Sequence, residues 1–230
     1  MIFHVKAVTF DDFYTLRYPF GQREDIIYPI LRALKERGFF FDDQIFMKQY
    51  FIADMDYRRS LKETLRESLL DDMVSSALIA CGCDPEAITG AVNEAVDFGI
   101  KTRECRWFPH AKATLKSLRE KGYMLGLISN THWRILESLR GEFENLFDVV
   151  TLSYEHGHAK PHPSIFEVTL NGLGVDADEC LHVGDDPISD VRGARDMGMK
   201  TAFIQRDMME ADADITIKSL DELTKHLSKK

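Results

Sequence analysis

The sequence has no apolar run long enough to cross a membrane, no C-x-x-C pair and no excess of positive charge. The first lack excludes a membrane-spanning helix, and the opening Met1-Ile2-Phe3-His4-Val5-Lys6 is too short and too interrupted for a signal peptide, so a cytoplasmic protein is expected. The second leaves four scattered cysteines, Cys81, Cys83, Cys105 and Cys180, with only the first two close, as C-x-C. That spacing fits neither a zinc ribbon nor a thioredoxin-type motif, and reduced structural thiols are the expectation. The third counts against nucleic acid as a partner: 29 Lys and Arg stand against 38 Asp and Glu, a net charge of −9, whereas binding a polyphosphate needs clustered cations. No internal repeat, low-complexity tract or heptad pattern appears, so nothing specifies an oligomer. The expected partner is a small molecule.

What is there is an ordinary globular balance, 44% hydrophobic and 29% charged, in 230 residues, enough for a core and a smaller second module. Lys6 to Phe10 is a short β-prone run ending in the carboxylate pair Asp11-Asp12. The pattern then turns helical from about Glu24 to Gly99: Asp25 to Arg37 closes on Gly38, Asp42 and Asp43 can cap a second helix, Arg58 to Ile79 repeats apolar residues at helical spacing, and Pro85 can open another. After Pro109 helix and strand alternate. Ala111 to Lys121 reads as a helix, Tyr123 to Ile128 as a strand, Phe147 to Leu152 as a strand, Pro163 onward as a helix, Cys180 to Val183 as a strand, Asp190 to Met197 as a helix, and Thr201 to Ile204 and Asp214 to Ile217 as strands. Ser219 and Glu222 have the spacing of a capping box for a last helix. The fold class expected is α/β: a Rossmann-like, parallel-sheet core of residues 1–16 and 105–230, with a helical cap, 17–104, inserted after the first strand.

Four polar signals fall at predicted strand ends or in the loops behind them: Asp11 with Thr15, Ser129 with Asn130, Lys160, and Asp185 with Asp190. In an open parallel sheet those ends share one edge, where ligands bind. In this order the signals resemble the four motifs of the haloacid dehalogenase superfamily, and the inserted helices resemble that family's cap between motifs one and two. The most specific string is Gly184-Asp185-Asp186-Pro187-Ile188-Ser189-Asp190, which is similar to the family's Gly-Asp-x4-Asp stretch. The resemblance implies a hydrolase with Asp11 as carboxylate nucleophile, Thr15, Ser129, Asn130 and Lys160 as the other catalytic residues, and Mg²⁺ held by Asp11, the main-chain carbonyl of Phe13, Asp185 and Asp190. The chemistry is coherent. Lys160 would offset the repulsion between a carboxylate and a phosphate, Ser129 would donate to phosphoryl oxygens, and converging carboxylates call for a hard cation.

One letter departs from the pattern. The family's second Asp, two residues after the nucleophile, protonates the leaving group and then activates water, and here that position is Phe13. Three readings follow. A Mg²⁺-dependent phosphatase of a small phosphorylated metabolite, working through an aspartyl phosphate and favouring acyl or aryl leaving groups, is favoured by Asp185 and Asp190. A 2-haloacid dehalogenase would tolerate Phe13, because halide needs no proton, yet that branch uses no metal. A binding or regulatory protein on the same fold is the third. Three other features read as scaffold: the histidines His156, His158 and His162 as a solvated loop, the Phe39-Phe40-Phe41 run and Trp107 as packing, and Arg58-Arg59 as exposed helix arginines that could also meet an anion.

Overall fold

The computed structural model describes residues 2–19, 27–60, 70–102, 105–131, 143, 145–206 and 208–228, with the side chains of 19, 57–60 and 101–102 excepted. The chain divides into two units, Met1–Tyr18 with Arg106–Lys230, and Pro19–Cys105.

In the first unit, strand β1 is Ala7–Phe10, with all four residues buried. Burial on both faces suits the interior strand of a parallel sheet, where the sequence has no reason to alternate. The chain leaves through β2 (Arg17–Pro19) and returns through β3 (Cys105–Trp107), which pair as a separate two-stranded sheet that the sequence pattern had not suggested. Four strands follow as expected, β4 (Met124–Ser129), β5 (Val149–Leu152), β6 (Cys180–Gly184) and β7 (Lys200–Ile204), and then the short β8 (Ile215–Ile217). Their spatial order is β5-β4-β1-β6-β7-β8, and every pairing is parallel. From β1 the chain works outward to β5, then returns to the other side of β1 for β6. That reversal puts a crevice beyond the C-terminal ends of β1, β4 and β6, the usual ligand site of an open α/β sheet.

The helix Ala111–Glu120 buries Ala111, Thr114, Leu115 and Leu118, one stripe at helical spacing. Pro163–Leu173 begins with proline in its first turn and ends on Gly174 at φ 66°. Near the end, Ser219 and Glu222 form the capping box, but the element they open is a 3₁₀ turn, Leu220–Lys225. The expected Asp190 helix starts earlier: Asp186 accepts from the Ile188 and Ser189 N–H groups, Pro187 opens a wide helical turn through Arg192, and Gly193–Asp196 continues it. An aspartate cap followed by proline is the stronger start signal, and it moves the boundary.

The second unit contains α1 (Ile27–Glu36), α2 (Asp43–Ser60), α3 (Leu70–Ala80) and α4 (Pro85–Thr102), around a core that includes Ile30, Leu34, Phe46, Val74, Leu78, Val92 and Val96. The helix expected over 58–79 is met at its two ends by α2 and α3; residues 61–69 lie outside the described residues, as do the side chains of Arg58 and Arg59 and the expected helix start at 24–26. Phe39 and Phe41 pack on this core, whereas Phe40 is 90% exposed, a correction to the expectation that all three pack. No described helix is long and apolar enough to cross a membrane.

Candidate active site

The site grows out of the end of β1. The Asp11 N–H donates to the Val183 carbonyl at 2.9 Å, which carries the β1–β6 pairing one residue past the strand and fixes Asp11 at the sheet edge. The chain then folds back: Leu16 and Arg17 N–H groups both donate to the Asp12 carbonyl, at 2.8 and 3.0 Å, and Tyr14 takes φ 61° at the apex. This tight loop brings the Thr15 hydroxyl to donate to Asp185 Oδ1 at 3.3 Å.

Lys160 Nζ donates to Asp11 Oδ1 and to Asp190 Oδ1, each at 2.6 Å, and its residue is 1% exposed. Its backbone is clamped by one side chain: Asn130 Oδ1 accepts from the Lys160 N–H at 2.7 Å, and Asn130 Nδ2 donates to the Lys160 carbonyl at 2.9 Å. Ser129 ends β4 and is buried. On the other flank, Asp190 Oδ2 accepts from the Asp186 N–H at 3.0 Å, while His182 Nε2 lies 3.3 Å from Oδ1 and His182 Nδ1 lies 2.9 Å from Thr9 Oγ1. Gly184 makes room for this: a Cβ there would stand 2.2 Å from Asp190 Cγ.

Asp11, Asp185 and Asp190 each offer a carboxylate oxygen within 4.8 Å of the others. Burial pushes the Asp11 carboxyl well above its usual range, with Lys160 pulling the other way and Asp190 and Asp185 adding to the rise. Asp185 is pushed up to about 7, by burial first and then by the charges of Asp190 and Asp186. Burial would also raise Asp190, but Lys160 and His182 outweigh it and hold that carboxyl below the usual range. Lys160, despite burial, is held above its ordinary value by Asp11 and Asp190. One ammonium, paired with Asp11 and Asp190, cannot neutralise three ionised carboxylates, which is why Asp11 and Asp185 are pushed upward; an all-oxygen donor set of this kind suits a hard divalent cation.

Of the residues anticipated from sequence, Lys160 joins Asp11 and Asp190 directly, Thr15 contacts Asp185, whose carboxylate lies within 4.8 Å of the other two, Asn130 acts on the Lys160 main chain, and Phe13 forms a bridge with Arg17. His158 is exposed, as a solvated loop implies, and stacks on His162 at 4.1 Å, whereas the other two histidines are engaged: His162 caps the Pro163–Leu173 helix by accepting from the Ser164 N–H, and His156 Nε2 lies 2.7 Å from Ser164 Oγ. Sequence reasoning passed over Arg17, His182 and Arg206. Arg17 binds Asp12 through Nε at 2.8 Å and Nη2 at 2.6 Å, both side chains buried. Arg206 donates to the Tyr14 and Thr15 carbonyls at 2.8 and 3.0 Å. Only the opposite charges of Asp12 and Arg17, five residues apart beside the nucleophile, were there to be noticed.

Comparison with known proteins decides the family. Residues 30–198 match the family model of haloacid dehalogenase-like hydrolases. The chain belongs to that family. Among its relatives, this haloacid dehalogenase-like hydrolase is 31% identical over 209 residues to a glyceraldehyde 3-phosphate phosphatase of Methanopyrus kandleri, covering 88% of this chain and 84% of that one. It is 41% identical over 104 residues to the protein of the same name in Pyrococcus abyssi, a match covering 44% of this chain and 43% of the relative; the chain thus spans less than half the length of that curated relative. In three dimensions it is similar to a 2-haloacid dehalogenase from Pseudomonas syringae pv. Tomato DC3000, with a TM-score of 0.68 at 25% identity over 96% of this chain and 97% of the other. Both branches considered from sequence are thus represented among the hydrolase's neighbours.

Proposed function

We propose that this protein is a Mg²⁺-dependent phosphatase of a small phosphorylated metabolite, with Asp11 as nucleophile. The observation that carries the reading is the meeting of Asp11, Asp185 and Asp190, with Lys160 paired to Asp11 and Asp190. A haloacid dehalogenase displaces halide with a carboxylate and needs no second and third carboxylate crowding it, whereas a phosphatase needs a cation beside three acids to admit a trianionic transition state. The relatives named as glyceraldehyde 3-phosphate phosphatases support the same branch.

In this reading an Asp11 carboxylate oxygen attacks phosphorus, the bond from phosphorus to the leaving oxygen breaks, and water then cleaves the aspartyl phosphate, returning inorganic phosphate. Lys160 holds Asp11 by one oxygen, which leaves the other to attack, and its charge faces the phosphoryl oxygens. Asn130 keeps Lys160 in place through its main chain. The Ser129 hydroxyl donates to a phosphoryl oxygen. Asp11, Asp185 and the Phe13 carbonyl would hold Mg²⁺, with Asp190 supporting it, and the ion when bound supplies charge neutralisation to phosphate and nucleophile. Asp190 already accepts from Lys160, His182 and the Asp186 N–H, which favours the supporting role.

Phe13 favours the dehalogenase alternative, since it supplies no proton to a leaving group. The two readings separate in one experiment. Release of phosphate from an aryl phosphate, abolished by EDTA and restored by Mg²⁺, supports the phosphatase; metal-independent release of chloride or bromide from a short 2-haloacid, with no phosphate release, overturns it.

A further inference from the structure

The loop that carries the nucleophile is held in a conformation its own sequence disfavours. Tyr14, at φ 61°, is a bulky residue in the left-handed region, where an L side chain crowds the following carbonyl. Among the described residues only His110 shares that condition. Such a residue persists where its surroundings over-determine it.

The Tyr14 N–H donates to the Arg17 carbonyl at 2.6 Å within the turn, and from outside the turn Arg206 grips it. This residue follows β7, and its guanidinium donates from Nε to the Tyr14 carbonyl at 2.8 Å and from Nη2 to the Thr15 carbonyl at 3.0 Å. Nη1 donates to the Lys218 carbonyl at 3.4 Å. The guanidinium carbon lies 3.6 Å from the centre of the Phe108 ring, and the Phe108 N–H itself donates to the Leu16 carbonyl at 2.9 Å. Burial lowers the Arg206 pKa to about 10, which leaves it a cation at neutral pH. Two successive carbonyls can be gripped by one planar fork and not by the single point charge of lysine. A half-buried cation committed to main-chain carbonyls fixes backbone geometry, and the backbone it fixes ends in the Thr15 hydroxyl, 3.3 Å from Asp185 Oδ1.

We propose that Arg206 is a positioning residue of the site: it holds Tyr14 in the left-handed conformation and thereby sets Thr15 against Asp185. The proposal rests on the reading of Asp11, Asp185 and Asp190 as a Mg²⁺-assisted centre, and it gives that centre a support from a distant part of the chain.

The test is a cycle of four proteins, wild type, R206M, Y14G and Y14G/R206M, with R206K beside them. Each is stripped of metal and titrated with Mg²⁺ by calorimetry, then assayed on an aryl phosphate and melted. R206M is expected to weaken Mg²⁺ binding and to lower kcat by about 10- to 100-fold, with KM little changed, the cost of a small misplacement of reacting groups. R206K should recover little. Glycine adopts the left-handed region without support, so in the Y14G background the same R206M change should cost no more than about twofold. Equal losses in both backgrounds would overturn the proposal, as would an R206M protein that melts lower but binds Mg²⁺ and turns over normally. Wild type that binds Mg²⁺ without releasing phosphate sinks the phosphatase reading alone, because the Mg²⁺ titrations still decide Arg206; wild type that binds no Mg²⁺ overturns both.

Discussion

Arg17 donates to both carboxylate oxygens of Asp12, Nε to Oδ1 at 2.8 Å and Nη2 to Oδ2 at 2.6 Å, and Asp12 is 0% exposed. The guanidinium also lies 4.6 Å from the Phe143 ring centre and 5.6 Å from that of Phe13. Asp12 is the acid next to the nucleophile, one position from where a proton donor would sit, and this pair closes it to that role. Removing one partner leaves the other charged and buried. Asp12→Ala should therefore destabilise the fold by about 3–5 kcal/mol, and Arg17→Met should do the same. Denaturant unfolding of both and of the double variant checks this: the double variant should cost much less than the sum, and additive losses would refute the coupling.

Because Asp12 is closed off and Phe13 is apolar, poor leaving groups lack a proton donor at this position. Phe13→Asp should raise turnover of an alkyl phosphate at least about tenfold, a fraction of the roughly 100- to 10,000-fold that a well-positioned general acid contributes, while aryl phosphate hydrolysis changes little. Parallel steady-state assays on the two esters decide it, and an unchanged alkyl rate would mean that proton supply is not what Phe13 withholds.

Gly184 tests the packing under Asp190. A methyl group added there would overlap the Asp190 carboxylate, and β6 offers no slack, since Gly184 is itself paired to Phe203. Gly184→Ala should cut kcat by about 100-fold, with circular dichroism showing the fold retained. A fully active variant would show that the placement of Asp190 is not critical.

How much of this could be read beforehand follows from what each feature depends on. The parallel core was legible because β1, β4 and β6 are apolar runs closed by polar residues, and those closing residues, Asp11, Ser129 and Asp185, named the sheet edge. The Asp186-Pro187 start of the last motif's turn was written in the sequence and outweighed by the attraction of Asp190. The pairing of β2 with β3 was not legible, since three-residue strands more than eighty residues apart carry no periodicity. Nor was Arg206: a lone arginine after a strand says nothing until the fold brings it to the Tyr14 and Thr15 carbonyls. The imidazole cap at His162 was hidden for a related reason, because histidine is an uncommon N-cap and reads first as a ligand or a solvated loop residue.

That cap makes a pH prediction. His162 Nδ1 accepts from the Ser164 N–H at 3.2 Å, so the folded state favours the neutral ring, and burial together with His158 and His156 lowers its pKa below the usual 6.5. The unfolded chain therefore takes up the proton first on acidification, and the contribution of the cap, complete above about pH 6.5, is lost as pH falls through the lower folded value. His162→Asn keeps a capping oxygen without the titration. Its melting temperature should fall less between pH 7 and about pH 5 than that of wild type; parallel curves would count against the cap as a source of acid sensitivity.

The central claim is that Asp11 is a nucleophile that carries the phosphoryl group. Brief reaction of the Mg²⁺-loaded protein with an aryl phosphate, acid quench and peptide mass mapping tests it most directly. The account predicts one phosphoryl group on the peptide containing Asp11, absent when Mg²⁺ is withheld and absent from Asp11→Asn. Phosphate release at full rate from Asp11→Asn, or a phosphoryl group mapped to any other residue, would contradict it.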